Sequence, residues 1–293
     1  VTRYAVLHGP RSGRGQAAAR GAFVVDRLRA AGQQVHELEA ASVEQARDAC
    51  RVAVAEGVEV LAVVGGDGVV GLAAGACSGT GTALGIVPSG TGNDGARSLG
   101  VPLDTAGAVQ ALLDNARRRV DLIRVDPVGR IVLGSVPAGV DARIAARAAA
   151  LPKWLGPAVY AVATVPEIPR LRPMDYELEL DGEVWRTRAH VVAVCNTDHY
   201  GGGMLIAPGA DPTDGLLDVV VITQVTARQA VGLLAGVFRG RHVGHPSVHL
   251  RRAWTVTVRG PDLVAHGDGE AIGPLPVTCT VLPGAVDVVV PAG

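Results

Sequence analysis

The chain has one lysine, Lys153, among its 293 residues, against 26 arginines. That scarcity removes whole classes of phosphate site: no Gly-Lys-Ser/Thr P-loop and no kinase strand lysine can exist away from residue 153. Cysteine is scarce as well. Cys50, Cys77, Cys195 and Cys279 are widely spaced, sit in apolar segments and form no Cys-x-x-Cys pair, which argues against a zinc site or disulfide framework and for buried thiols in a reducing cytoplasm. No uncharged apolar run approaches the ~20 residues of a membrane helix, and VTRYAVLHGP lacks the basic-then-apolar pattern of a secretion signal, so a cytoplasmic protein is expected. A net charge of −1 supplies no global field for nucleic acid, and any anion site has to be local. Acids are missing from one stretch altogether. Between Asp218 and Asp262 there is no carboxylate, while Arg228, Arg239, Arg241, Arg251, Arg252 and Arg259 fall inside. Such a stretch suits peripheral contact with an anionic membrane, with Val231, Leu234, Val237 and Phe238 of a helix over 226–238 exposed beside Arg239 and Arg241; a helix packed on its own domain with solvated arginines is the plainer reading.

What is present is 48% hydrophobic and 19% charged, a globular profile in a chain long enough for two domains. Residues 1–123 alternate short apolar runs with helical patterns, which predicts an α/β domain with a parallel sheet. Strands are expected at 4–8, 34–39, 58–64 and 83–88, helices at 15–31, 43–56 and 104–115, and VDLIRV at 120–125 closes the unit. Residues 124–293 turn to alternating strands with turn dipeptides, such as the hairpin about Asp181-Gly182, and predict a mainly β domain.

Two glycine turns at strand ends carry the chemistry. In VVGGDGVVG, Gly65, Gly66 and Gly68 strip the backbone for a phosphate, and Asp67 is placed to orient a cation or hydroxyl; a tight strand-to-helix turn is the alternative. In PSGTGND, Gly90 and Gly92 free the backbone, Thr91 adds a hydroxyl, and Asn93 and Asp94 open a helix whose free N–H groups favour phosphate. Capping alone accounts for Asp94 but not for the residues before it. Both turns fall at the carboxyl edge of one sheet, where open α/β folds bind ligands. A dinucleotide fingerprint at Gly13-x-Gly15-x-x-Ala18, with Glu37 or Glu39 behind it, competes weakly, because HGPRS separates it from the strand.

These motifs, followed by PAGVDARI at 137–144, WLGPAVYA at 154–161, CNTDHYGGGMLIAPGADPTDGLLDVVVI at 195–222 and HGDGE at 266–270, resemble the diacylglycerol kinase catalytic family, which includes bacterial lipid kinases and sphingosine kinases. The resemblance covers nearly the whole chain. It implies a Rossmann-like, NAD kinase-like α/β domain joined to a β sandwich, and an ATP- and Mg²⁺-dependent kinase acting on the hydroxyl of a diacylglycerol-like lipid or other apolar alcohol. It implies a nucleotide site from Ser12, Gly13, Gly65, Gly66, Asp67, Gly68, Gly90, Thr91 and Asn93 in the cleft between domains. Asp268 would be the base with Glu270 nearby, while Asp67, Asp94 and Asp121 would surround ATP-bound Mg²⁺. Asp214, with backbone carbonyls at Asp211 and Leu216, would hold a second Mg²⁺. A homodimer is left open. An NAD kinase shares the GGDG logic, but the GGGM and DGLLD segments argue against it.

The chain also departs from the family pattern. It has Gly9 for an asparagine, Val69 for a threonine, Gly71 and Leu72 for Asn-Glu, and Glu39 or Ala40 where a threonine is expected. These losses lie on the nucleotide side, and they keep in play weak ATP affinity, a changed donor, a kinase for a hydroxylated natural product, or a non-catalytic lipid- or nucleotide-binding relative. Asp181-Gly182-Glu183 repeats the Asp-Gly-Glu of 268–270 and is read as an ordinary hairpin turn.

Overall fold

A computed structural model describes residues 1–8, 16–139, 144, 147, 151, 158–170, 172–261 and 263–292. The first half runs β1 (Arg3–His8), α1 (Gln16–Ala30), β2 (Gln34–Leu38), α2 (Val43–Ala55), β3 (Val60–Gly65), α3 (Asp67–Cys77), β4 (Ala83–Pro88), α4 (Asp94–Ser98) and α5 (Thr105–Asp114). Strands β2, β1, β3 and β4 lie side by side and parallel in that order. Every residue of β3 and of β4 is buried, as expected for parallel strands covered by helices on both faces. Ser42 caps α2 by accepting from the Gln45 N–H, and Asp104 caps α5 by accepting from the Gly107 N–H, so both helices start within a residue of the expected patterns.

The second half is β-rich. It comprises β5 (Ala116–Asp126), β6 (Arg130–Val132), β7 (Ser135–Gly139), α6 (Ala158–Thr164) with a 3₁₀ turn at Val165–Arg170, β8 (Met174–Leu180), β9 (Glu183–Cys195), β10 (His199–Tyr200), β11 (Met204–Leu205) and β12 (Leu217–Thr223). Then follow α7 (Ala227–Val237), a 3₁₀ turn at Arg241–Gly244, β13 (Val248–Ala253), β14 (Thr255–Arg259), β15 (Val264–Gly267), β16 (Glu270–Pro274) and β17 (Val277–Val290). Of the helical stretch that the sequence pattern predicts near 142–165, the part up to 157 lies largely outside the described residues and the rest forms α6. Strand β5 begins at Ala116, earlier than the apolar run at 120–125 indicates. The exposed Arg117–Arg119 segment is drawn into the sheet by its ladder with β17, in which Arg117 faces Val289 and Arg119 faces Asp287.

Strand β17 joins the two halves. It pairs antiparallel with β14 and β5, its register with β5 shifts between Leu282 and Val286, and beyond that point Val288 pairs in parallel with Leu84 of β4. The expected boundary at 123/124 therefore falls inside a strand of a continuous sheet. Separate cores form around Leu7, Leu61 and Leu84, and around Leu178, Val192 and Val256, while a smaller cluster gathers Met204, Ile206, Leu233 and Val237 beneath α7.

Candidate active site

At the carboxyl edge of the first sheet, the turns after β3 and β4 touch. The Ser89 N–H donates to the Gly65 carbonyl at 2.8 Å. A Cβ on Gly66 would lie 3.0 Å from the Gly90 Cα, so the approach of the two backbones requires glycine there. Asn93, with φ 53°, closes its own turn: it accepts from the Gly90 N–H at 2.8 Å and donates to the Gly90 carbonyl at 3.1 Å. Asp67 opens α3, and its Oδ1 accepts from the Gly95 N–H at 3.0 Å. Asp94 opens α4 and accepts from Gly202 at 2.9 Å and Gly203 at 2.6 Å, which fastens the GGG turn of the second half onto the first. The Oδ2 atoms of Asp67 and Asp94 both lie 3.0 Å from the place a Cβ on Gly92 would take.

The second half brings Asp268 to the same cleft. This residue sits in the turn between β15 and β16 with a left-handed φ of 46°, and its carboxylate accepts from the Leu133 N–H at 2.8 Å and the Gly134 N–H at 2.9 Å. A Cβ at position 71 would stand 2.1 Å from the Asp268 Oδ2, so Gly71 is what lets the carboxylate lie against α3. Asp181-Gly182 adopts the same turn, with φ 49° and 90° against 46° and 81° at Asp268-Gly269. Its carboxylate accepts instead from the Trp254 and Thr255 N–H groups at an exposed site. Backbone chemistry makes the two turns alike, and their surroundings make them different.

Burial pushes Asp67 up to about 7, with the Asp94 charge adding, the Gly95 N–H opposing and Asp268 adding again. Burial also raises Asp94, against the two glycine amides that favour its charged form. Asp268 is pushed up to about 6 by burial, and the Leu133 and Gly134 amides, with Arg130, hold it from rising further. Glu270 is ion-paired with Arg130. Nearby, Ser98 donates to the Asp198 Oδ1 at 2.6 Å, and the His199 Nδ1 meets the same oxygen at 2.6 Å, tying α4 to β10. Burial alone would raise Asp198, but these hydrogen bonds outweigh it and its pKa is lowered.

A cavity of about 650 Å³ starts at Gly66, Asp67, Gly68, Thr91, Asp94, Asp268 and Glu270 and continues into an apolar chamber lined by Val159, Ile168, Met204, Ile206, Leu233 and Val237. Gly65, Gly90 and Asn93 shape the turns without lining the space. Ser12 and Gly13 lie outside the described residues. Asp121 is not brought to the acidic set: its carboxylate accepts from the Gly215 N–H at 2.7 Å and the Gly284 N–H at 2.6 Å, and so pins the 211–216 loop and the bend of β17. The residues expected around a second metal lie together in the 211–216 loop. Asp211 accepts from the Thr213 N–H and hydroxyl, while Asp214 accepts from the Leu216 N–H and from the Arg252 guanidinium, whose charge stands where a cation was expected. Among the described residues no group of three His, Cys, Asp or Glu is arranged to hold a metal. On α7, Val231 and Phe238 are exposed as expected, but Val237 is buried and Leu234 half-buried, because that face of the helix covers the chamber.

Sequence reasoning did not single out Leu133, Gly134, Tyr160 or the Ser98–Asp198–His199 contact as parts of this site. Backbone donors leave no side-chain signal, and Gly71 registered only as a departure from a pattern.

The cavity thus has a glycine-lined, acidic mouth and an apolar interior, one end suited to a polar group and the other to hydrocarbon. Residues 3–125 match the diacylglycerol kinase catalytic domain, and residues 134–290 match the YegS C-terminal NAD kinase beta sandwich-like domain. The chain belongs to the diacylglycerol kinase family. It is 35% identical to a diacylglycerol kinase of Mycobacterium tuberculosis, over 99% of this chain and 96% of that one. It is 31% identical to a probable lipid kinase YegS-like of Pseudomonas aeruginosa, over 98% and 94%. The crystal structure of a diacylglycerol kinase from Bacillus anthracis shares the fold with a TM-score of 0.74 at 18% identity, over 99% of this chain and 97% of that chain.

Proposed function

We propose that this protein transfers the γ-phosphoryl group of ATP, with Mg²⁺, to the free hydroxyl of a diacylglycerol-like lipid. The observation that carries the reading is the position of Asp268, a carboxylate pushed up to about 6 where an acidic cleft passes into an apolar chamber. A base with that pKa is ionised at neutral pH yet basic enough to accept a proton from a hydroxyl as its oxygen bonds to phosphorus. In the transfer the γ-phosphorus–oxygen bond to ADP breaks, the new phosphorus–oxygen bond forms, and the hydroxyl proton goes to Asp268. The Leu133 and Gly134 amides fix the carboxylate while leaving lone pairs on each oxygen for that proton. The relatives named diacylglycerol kinase and lipid kinase support the acceptor class.

The residues present fit a nucleotide-borne Mg²⁺. Asp67 and Asp94 turn their Oδ2 atoms toward one point, and their mutual repulsion with Asp268 is what a divalent cation relieves. These two carboxylates would hold it, and it would supply charge neutralisation on the phosphates. Asp214, bonded to Arg252, would have to release that guanidinium to hold a second ion.

The test is purified protein with radiolabelled ATP, Mg²⁺ and a panel of diacylglycerols, sphingoid bases, NAD and hydroxylated natural products. A labelled lipid phosphate is expected with diacylglycerol. Asp268→Asn should lower turnover by roughly 10² to 10⁴-fold with an unchanged circular dichroism spectrum. A variant keeping more than about a tenth of the wild-type rate removes Asp268 from the role, and label appearing only in NADP or a natural product replaces the acceptor.

A further inference from the structure

Tyr160 stands where the two ends of the cavity meet. It lies on α6, and its ring packs against two apolar clusters at once, Val159 with Ala163 on its own side and the Met204, Ile206 and Leu233 group across the chamber. The ring also reaches the turn that holds Asp94: its Cδ1 is 3.9 Å from the place a Cβ on Gly201 would occupy, and the next residue, Gly202, donates to Asp94. The phenol feels the same neighbours, for burial raises its pKa and the Asp94 and Asp67 charges raise it further. The half-buried side chain lines the cavity, and among the described residues its hydroxyl shows no hydrogen-bond partner, which leaves it a donor open to whatever the cavity holds.

An acceptor bound for transfer has its reacting hydroxyl at Asp268 and its hydrocarbon in the chamber. The atoms passing Tyr160 are then those a few bonds from the reacting carbon. Any oxygen there has left its water partners behind and needs a donor from the protein. We propose that the Tyr160 hydroxyl donates a hydrogen bond to an acceptor oxygen lying a few bonds from the reacting hydroxyl, and so selects acylglycerol-like alcohols over plain long-chain alcohols. The assignment rests on the lipid-kinase reading above. Tyr160 acts as a specificity residue: the proton transfer belongs to Asp268, and the phenol places the substrate for it.

The experiment compares wild type, Tyr160→Phe and Tyr160→Leu with 1,2-dioctanoylglycerol and with dodecanol, which has no second oxygen and is read as substrate or competitive inhibitor. Tyr160→Phe is expected to raise the KM for dioctanoylglycerol roughly threefold to tenfold, the loss of one neutral hydrogen bond. The KM for ATP and the dodecanol constant should stay unchanged. Tyr160→Leu, which removes the ring, should weaken both lipids. A Tyr160→Phe variant that weakens both lipids equally, or neither, overturns the proposal while leaving the kinase reading in place. A wild-type protein that transfers phosphate to no lipid alcohol overturns the kinase reading and this assignment with it.

Discussion

The readiness of Asp268 is a balance of opposing contacts, and each is open to a single substitution. Its burial raises the pKa to about 6, and Arg130 and two amides pull it down. The acid limb of kcat/KM should therefore fall off below a pH of about 6, and Arg130→Met should move that limb upward, as a pH–rate profile reads directly. Asp67 has the opposite sense for stability. With its folded pKa raised to about 7, the folded protein keeps a proton that the unfolded chain releases near pH 4, so stability present at low pH is lost as pH rises from about 4 to 7. Urea unfolding should show a loss of about 2 kcal/mol across that range, discounted for the open cleft, and Asp67→Asn should flatten it. At the departures 69 and 72 the side chains are engaged in packing. Leu72 is buried in the first core and Val69 packs against the same core, and neither lines the cleft. Val69→Thr should accordingly leave ATP affinity within about twofold in calorimetry and cost about 1 kcal/mol of stability. Asp268 and Asp181 show the limit of what single residues disclose. Both begin an Asp-Gly-Glu turn with nearly the same dihedrals, and burial and partners, which are tertiary properties, decide which one faces the cleft.

Elements with strong local signals were legible, and elements held by their neighbours were not. Strands β3 and β4 read as buried apolar runs, and α2 and α5 fall within the helical patterns at 43–56 and 104–115. The start of β5 was not legible, because three exposed arginines carry no apolar period and only the ladder with β17 makes them a strand. Helix α3 holds a sharper case. Within an exposed helix, Gly→Ala gains up to about 1 kcal/mol from backbone entropy. At Gly71 the added carbon meets the Asp268 Oδ2 at 2.1 Å, so Gly71→Ala should lower turnover at least ~10²-fold by displacing the base while leaving helix content unchanged. A rate loss of less than threefold would show that the carboxylate has room to move aside. The contact across α4 is subtler. Losing the Ser98 hydroxyl frees Asp198 and His199 from this five-residue helix, and hydrogen exchange over 93–99 should quicken in Ser98→Ala.

At the scale of the molecule, the sequence separates an α/β half from a β half, and the structure agrees on texture and joins the two in one sheet through β17. The runs VTCTVL and AVDVVV each read as strand but do not say that they join as β17 and cross from one half to the other, since pairing partners distant in the chain leave no mark in a local pattern. Asp121 secures that crossing through the Gly284 and Gly215 amides. Asp121→Ala strands both donors and should cost about 3 to 6 kcal/mol, with both halves losing hydrogen-exchange protection at the same urea concentration. Separate transitions for residues 3–125 and 134–290 would show the halves to be uncoupled. The same strand also sets a timetable. A ribosome delivers β1 to β4 early, yet the outer edge of β4 finds its parallel neighbour only when Val277–Val290 has been made. Until then the nascent α/β half carries an open strand edge, the kind of surface that recruits chaperones or wrong partners, and its sheet is finished by a segment encoded far downstream.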